Sequence, residues 1–246
     1  MSDPSSYLDN LPVPERVLIV LAHPDDAEFF AGGTLAKWAS EGAALSLCLV
    51  TSGDKGSSNL EVLNHHDVAA QRESETRVAA KKLGIQEVVF LRRRDGEVTP
   101  SIDLRRDIVR MIRLKRPDAV MSSDPHYRWR ANNRLNHPDH WGVAEAVQAA
   151  VYPAARDHLN FPELYRDEAL QPHKVRWHYM SLALDPNFRV DTTPYYQAKL
   201  DALKEHASQV GDPEAFENRM RERVDHELST ADSPRYAEYF RVIELG

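Results

Sequence analysis

The stretch RVLIVLA, residues 16–22, constrains this chain more than any other feature. It is continuously apolar and rich in branched side chains, so a strand made from it must be covered on both faces. Strands of that kind belong to parallel sheets whose crossovers are helices, and the sequence repeats the unit. Residues 44–51 (ALSLCLVT), 87–91 and 119–122 read as further strands. Helical patterns separate them: one opening at Gly32 and Gly33 and running to about residue 41, one over 68–83 with Gly84 just past its end, and one over 103–115. A fourth helix is predicted over 141–151. The resulting order β-α-β-α-β-α-β specifies a Rossmann-like α/β fold, an open and mostly parallel sheet with helices on both faces. Residues 175–184 and 236–244 read as strands, and 194–210 and 213–228 as helices, which makes the last third a set of C-terminal α/β additions. Residues 1–15, with Pro4, Pro12 and Pro14, read as an N-terminal arm, and 16–246 as a single domain.

Composition narrows the function classes. The single cysteine, Cys48, removes any internal disulfide framework and any multi-cysteine metal site. With 31 basic against 38 acidic side chains, the net charge of −7 speaks against a general nucleic-acid partner. The apolar run at 17–22 falls far short of the roughly 20 residues of a membrane span and has no signal-peptide flanks. A cytoplasmic protein with a small-molecule substrate is the expectation.

In open sheets of this type, ligands bind beyond the carboxyl ends of the strands. There the first strand runs into His23-Pro24-Asp25-Asp26-Ala27-Glu28, one imidazole and three carboxylates within six residues. A glycine-rich loop for a dinucleotide phosphate is missing at the place where it is most diagnostic, and carboxylates favour a divalent cation instead. A second cluster, Asn136-His137-Pro138-Asp139-His140, follows the fourth strand. If the two strands are neighbours, His23, Asp26 and His140 bring two nitrogens and one carboxylate to one crevice, a set that suits Zn2+ with a position open for water. Another divalent transition metal would also accept it. Asp25 is then free to act as general base. His137 would stabilise the oxyanion or protonate a leaving amine, and Asp139 would hold the other ring nitrogen of His137.

These motifs, with Gly32-Gly33-Thr34-Leu35-Ala36 after the first, resemble the PIG-L/LmbE-like family of zinc-dependent N-deacetylases. Thr51-Ser52-Gly53-Asp54, Arg72 with Glu75 leading to Leu83-Gly84, and the late set Lys199, Ala202, Leu203, His206 and Gln209 are similar to it as well. The resemblance spans roughly residues 16–210. It implies hydrolysis of an acetamide on an N-acetylglucosamine-type substrate to acetate and a free amine, through the residues just named. It also implies that Arg72 contacts the sugar or its aglycone and that His206 belongs to the substrate pocket. Arg72 and Glu75 at i, i+3 equally fit a solvated ion pair, and His206 and Gln209 a mutual contact in the core. The segment 123–136 is basic and aromatic, so Trp129 can stack on a sugar face while Arg128, Arg130 and Arg134 meet an anionic aglycone; the same residues equally fit a surface loop or a subunit contact. Leu135 stands where some relatives carry a tyrosine; either Tyr127 or Tyr195 replaces it, or zinc and His137 carry the oxyanion alone. An amidase acting on a thiol conjugate or secondary metabolite would share the same metal motif, and a homo-oligomer stays open.

Overall fold

The computed structural model describes residues 8, 11–57, 59, 61–62, 64–129 and 134–246. Most of the N-terminal arm and Arg130 of the basic segment lie outside them. The chain runs β1 (Arg16–Leu21), α1 (Asp26–Ser40), β2 (Ala44–Thr51), α2 (His65–Lys82), β3 (Glu87–Arg93), α3 (Ile102–Lys115), β4 (Ala119–Ser123) and α4 (Pro138–Val151). It continues through α5 (Pro162–Arg166), β5 (Trp177–Ser181), β6 (Phe188–Asp191), α6 (Tyr196–Leu203), α7 (Ala207–Val210), α8 (Pro213–Arg221) and β7 (Ala237–Glu244). The strands form one seven-stranded sheet in the order β3-β2-β1-β4-β5-β7-β6. The α/β reading is correct, and β1 and β4 are indeed parallel neighbours, with Val17 opposite Ala119 and Ile19 opposite Met121.

The apolar run of β1 is explained by two layers. Val17, Ile19 and Leu21 pack beneath α1, while Leu18 and Val20 pack with residues of α3 and α4 on the other face. Each such side chain contributes about 1.5–3 kcal/mol on burial, so one polar replacement would be felt on either side. Chain order reverses between β1 and β4, because β2 and β3 extend to one side and β4 and β5 to the other. Such a switch point leaves a crevice at the carboxyl ends of the two strands.

Several boundaries differ from the sequence expectation, each for a local reason. The first helix starts at Asp26, not at Gly32, so the carboxylates of Asp26 and Glu28 occupy its first turn, where the helix dipole favours them. Gly32 and Gly33 mark a place where side chains enter the backbone ladder. Lys199 Nζ donates to Phe29 O at 2.9 Å, and Gly33 N and Thr34 N donate to the Glu238 carboxylate at 3.0 and 2.8 Å. Glu238 and Lys199 form a buried ion pair of 2.7 Å, and a Cβ at Gly33 would collide with Thr192. The helix expected over 194–210 is split into α6 and α7, with His206 at the break. The helix expected to reach residue 228 ends at Arg221. β6 and α5 were not anticipated: β6 is a four-residue, half-buried edge strand with no apolar run to announce it.

Candidate metal centre

Both histidine motifs are helix N-termini that face the switch-point crevice. His137 is the N-cap of α4, with Pro138, Asp139 and His140 in its first turn. The His137 ring caps the helix: its Nδ1 accepts from Asp139 N at 3.2 Å. Pro138 suits the first helical position, where no backbone donor is needed. Asp25 occupies the N-cap of α1 with φ 84°, a left-handed conformation that is costly for a residue with a Cβ, and its carboxylate makes no capping bond. That carboxylate is therefore left to face the crevice.

Three donor atoms converge there. His140 Nε2 lies 3.1 Å from Asp26 Oδ1 and 3.3 Å from His23 Nδ1, and His23 Nδ1 lies 3.6 Å from Asp26 Oδ2. A tetrahedral ion with bonds of about 2.0–2.1 Å requires donors roughly 3.3 Å apart, so these separations fit. The outward ring nitrogens are held as metal-bound histidines require. His140 Nδ1 meets Asn136 Oδ1 at 2.9 Å, and His23 Nε2 meets Asp139 Oδ2 and Asp95 Oδ1, each at 3.1 Å. With protons on those outward nitrogens, the lone pairs of His23 Nδ1 and His140 Nε2 point at one another and at Asp26. All three residues are buried.

A second group, His23, Asp95, His137 and Asp139, also brings donor atoms together. It is the poorer holder of a cation. The Asp139 carboxylate already accepts from Gly96 N at 2.7 Å and Val98 N at 3.1 Å, while His137 Nε2 stands 3.8 Å from Asp95. This arrangement corrects one expected contact: the Asp139 carboxylate supports His23, and only the Asp139 backbone reaches His137.

Charge in the crevice follows from burial and pairing. Burial and then the neighbouring Asp26 push the Asp25 carboxyl up to about 7, against the opposing pull of Arg72. Burial would raise Asp26 as well, but the imidazoles of His140 and His23 hold it well below the usual carboxylate range. Burial opposes charge on His23, yet Asp139, Asp26 and Asp95 together raise it to about 12, so the crevice favours a positive charge at His23 Nδ1, where a metal ion would take the place of the proton. His137 moves the other way, lowered by burial and by His23, so it is neutral near pH 7. Its Nδ1 accepts a backbone bond, which leaves its proton on Nε2, the nitrogen turned toward Asp95.

Arg72 reaches the crevice from α2 and is almost fully buried. It donates to Gly53 O at 3.1 Å and Pro24 O at 3.0 Å and stands 3.4 Å from Asp25 Oδ2. A Cβ at Gly53 or Gly56 would displace the guanidinium, and Gly53 also holds φ 63°, a conformation that favours glycine. The Arg72–Glu75 ion pair does not form: Glu75 accepts from Ser208 N and Oγ at 3.0 and 2.7 Å. His206 is likewise buried, 3.4 Å from Glu28; the Gln209 side chain donates to Gly56 O at 2.8 Å, and only the Gln209 backbone N–H reaches the His206 carbonyl. His206 is not among the residues lining the crevice, a cavity of about 600 Å³ bounded by the metal-set residues, Arg72, Asp95, His137, Tyr127 and an apolar side of Phe29, Phe30 and Leu182. Trp129 is 65% exposed and also off that lining. Of the two tyrosines considered opposite Leu135, Tyr127 lines the cavity, while Tyr195 OH accepts from Ser40 Oγ at 3.1 Å outside it.

The PIG-L family profile, described as GlcNAc-PI de-N-acetylase, matches residues 18–151, and the match contains both histidine motifs. The chain belongs to the PIG-L family. It is 30% identical over 195 residues to the diacetylchitobiose deacetylase of Thermococcus kodakarensis, covering 79% of this chain and 70% of that protein. The 1D-myo-inositol 2-acetamido-2-deoxy-alpha-D-glucopyranoside deacetylase of Rhodococcus erythropolis is 31% identical over 182 residues, covering 61% of this chain and 60% of its own. Among solved structures, the N,N'-diacetylchitobiose deacetylase of Pyrococcus horikoshii superimposes with a TM-score of 0.82 at 29% identity, covering 94% of this chain and 84% of that one.

For a PIG-L chain, the site residues to which the sequence assigned no role are Asp95, Asn136, Leu182 and Arg223. Asp95 was hidden because β3 was expected to end at residue 91; with the strand running to Arg93, Asp95 sits at its carboxyl end like the other crevice groups. Asn136 carries a usable signal, a carboxamide four residues before a histidine at a helix start. Leu182 and Arg223 have no local signal. No described helix is long and apolar enough to cross a membrane.

Proposed function

We propose that this chain hydrolyses the acetamide of an N-acetylglucosamine-type conjugate, releasing acetate and a free amine. The observation that carries the proposal is the triangle of His23 Nδ1, Asp26 and His140 Nε2, with 3.1–3.6 Å between donors and the uncapped Asp25 carboxylate beside it. His23, Asp26 and His140 would hold a divalent metal, with zinc the preferred ion for this donor set. When bound, such an ion polarises both water and the amide carbonyl.

The remaining chemistry belongs to the chain. Asp25 takes a proton from water as the oxygen attacks the acetyl carbon, and its raised carboxyl suits that exchange near neutral pH. His137 donates Nε2–H to the carbonyl oxygen as negative charge builds there, which a neutral imidazole with that tautomer can do. The C–N bond then breaks, and the amine nitrogen receives the proton that Asp25 accepted. Asp139 contributes by fixing the His23 ring, Asn136 by fixing the His140 ring, and Arg72 by holding the loops that carry Pro24 and Gly53 around Asp25. The names of the relatives cited above, a diacetylchitobiose deacetylase and a 1D-myo-inositol 2-acetamido-2-deoxy-alpha-D-glucopyranoside deacetylase, support the substrate class. Trp129 and His206, neither of which lines the cavity, enter only as auxiliary contributors to substrate binding. Residues 16–246 are proposed to act as one unit, because the C-terminal strands join the same sheet through β5.

The test is a panel of glycosides of N-acetylglucosamine beside amides of longer acids and thiol conjugates, assayed with zinc-loaded protein. Acetate release with little turnover of the longer acyl groups is expected. Preferential cleavage of larger acyl groups or thiol conjugates would replace this reading with the amidase.

A further inference from the structure

We infer that Arg223 is a specificity residue, which draws to the crevice substrates carrying an anionic group, carboxylate or phosphate, beyond the acetamido sugar. The inference rests on the deacetylase reading above. Arg223 lies just past the end of α8 and lines the same cavity as His23, Asp26 and His140. No described carboxylate pairs with it, and among the described residues its guanidinium has no hydrogen-bond acceptor. The surrounding arginines are occupied. Arg221 is paired with Glu217, Arg219 lies over the Phe216 ring, and Arg72 is spent on two backbone carbonyls and Asp25.

The crevice carboxylates do not need Arg223 either. Asp25 has Arg72, Asp26 has His140 and the backbone of His23, and Asp95 has the His23 ring. Arg223 therefore keeps its planar fork of donors for a group that arrives with the substrate. Phe29, Phe30 and Leu182 also line this cavity, with the Phe30 ring 5.3 Å from that of His140, and supply apolar surface suited to a sugar ring face. Leu182 holds φ 55° at the end of β5, a conformation that a bulky residue adopts only under constraint. The position of Arg223 outside the matched segment 18–151 fits a residue that tunes which conjugate is taken while the chemistry stays fixed.

The probes are three N-acetylglucosamine glycosides differing only in aglycone: glycolate, phosphoethanol and ethylene glycol. Binding is measured by calorimetry on the Asp25→Asn protein, so that turnover does not interfere. At least one of the two anionic conjugates is expected to bind roughly tenfold more tightly than the neutral one, the scale of a charge-assisted contact at a half-open site. The arm that shows the preference identifies carboxylate or phosphate as the recognised group. Adding Arg223→Ala should bring the ratio close to unity, and Arg223→Lys should restore part of it, with the preference shrinking as salt is raised. Equal binding of the three, binding of none, or a preference that survives Arg223→Ala would overturn the inference. If the ratios behave as expected but the unmodified chain releases no acetate, it is the deacetylase reading that fails.

Discussion

Two regions of this molecule bury charged side chains, and they do so in opposite ways. Beneath α3, Arg113 is only 2% exposed, and its guanidinium is met by the carbonyls of Ala154, Ala155, Asp157, Asn160 and Phe161. Nearby in the sheet, His178 on β5 is buried with a hydroxyl partner, Ser122 Oγ at 2.9 Å, and burial lowers it to about 4, so it stays neutral. In the crevice, Arg72 has only two carbonyls and a carboxylate, and its Nε has no partner among the described residues. His23 and His140 face carboxylates and each other. Where the purpose is to hold the fold, neutral carbonyls and a hydroxyl meet the buried group. Where chemistry is done, buried groups lean on one another and leave capacity for an ion and a substrate.

Substitutions can break that contrast. The largest effect is expected for Asp25→Asn: roughly a thousandfold loss in kcat with metal content retained, measured by acetate release and metal analysis. Unaltered turnover would remove Asp25 from the reaction. Next comes Arg72→Met, which should lower kcat/KM by about a hundredfold through a displaced Asp25 while costing only about 1–2 kcal/mol of stability. Arg113→Met should invert the pattern. It strands several buried carbonyls, so denaturant unfolding should show a loss of about 3 kcal/mol or more, while kcat per folded molecule stays within twofold.

The pH dependence of stability sharpens the comparison further. His178 binds a proton near 6.5 when unfolded but near 4 when folded, so the unfolded chain takes up the proton first as pH falls. Its contribution is intact above about pH 6.5 and is lost progressively toward pH 4, by on the order of 3 kcal/mol. Melting temperatures across that window should fall less steeply in His178→Gln than in the unmodified chain. The smallest effect is expected at Trp129, exposed and off the cavity lining, where Trp129→Ala should raise KM by roughly threefold, the worth of one exposed ring contact.

The central sheet was legible because β1, β2 and β4 are buried on both faces, and such strands write continuous apolar runs. β6 and α5 were not legible, because their few apolar residues are scattered among polar ones. The proposed metal set could be assembled from sequence because each of its residues lies immediately after a strand or at a helix start, positions that spacing reveals. The partners of those ligands were harder to assign. Asp139 was read as the support of His137 because the two are close in sequence, whereas its carboxylate crosses the crevice to His23. Asp95 and Arg223 reach the same cavity from the end of β3 and from beyond α8, and only the tertiary fold brings them together.

Zinc bound per chain in His140→Ala and in His137→Ala tests the account most directly. His140→Ala is predicted to lose the metal, while His137→Ala keeps one equivalent and loses turnover. Retention of zinc by His140→Ala together with its loss from His137→Ala would place the ion on the Asp95 side of His23 and contradict the assignment.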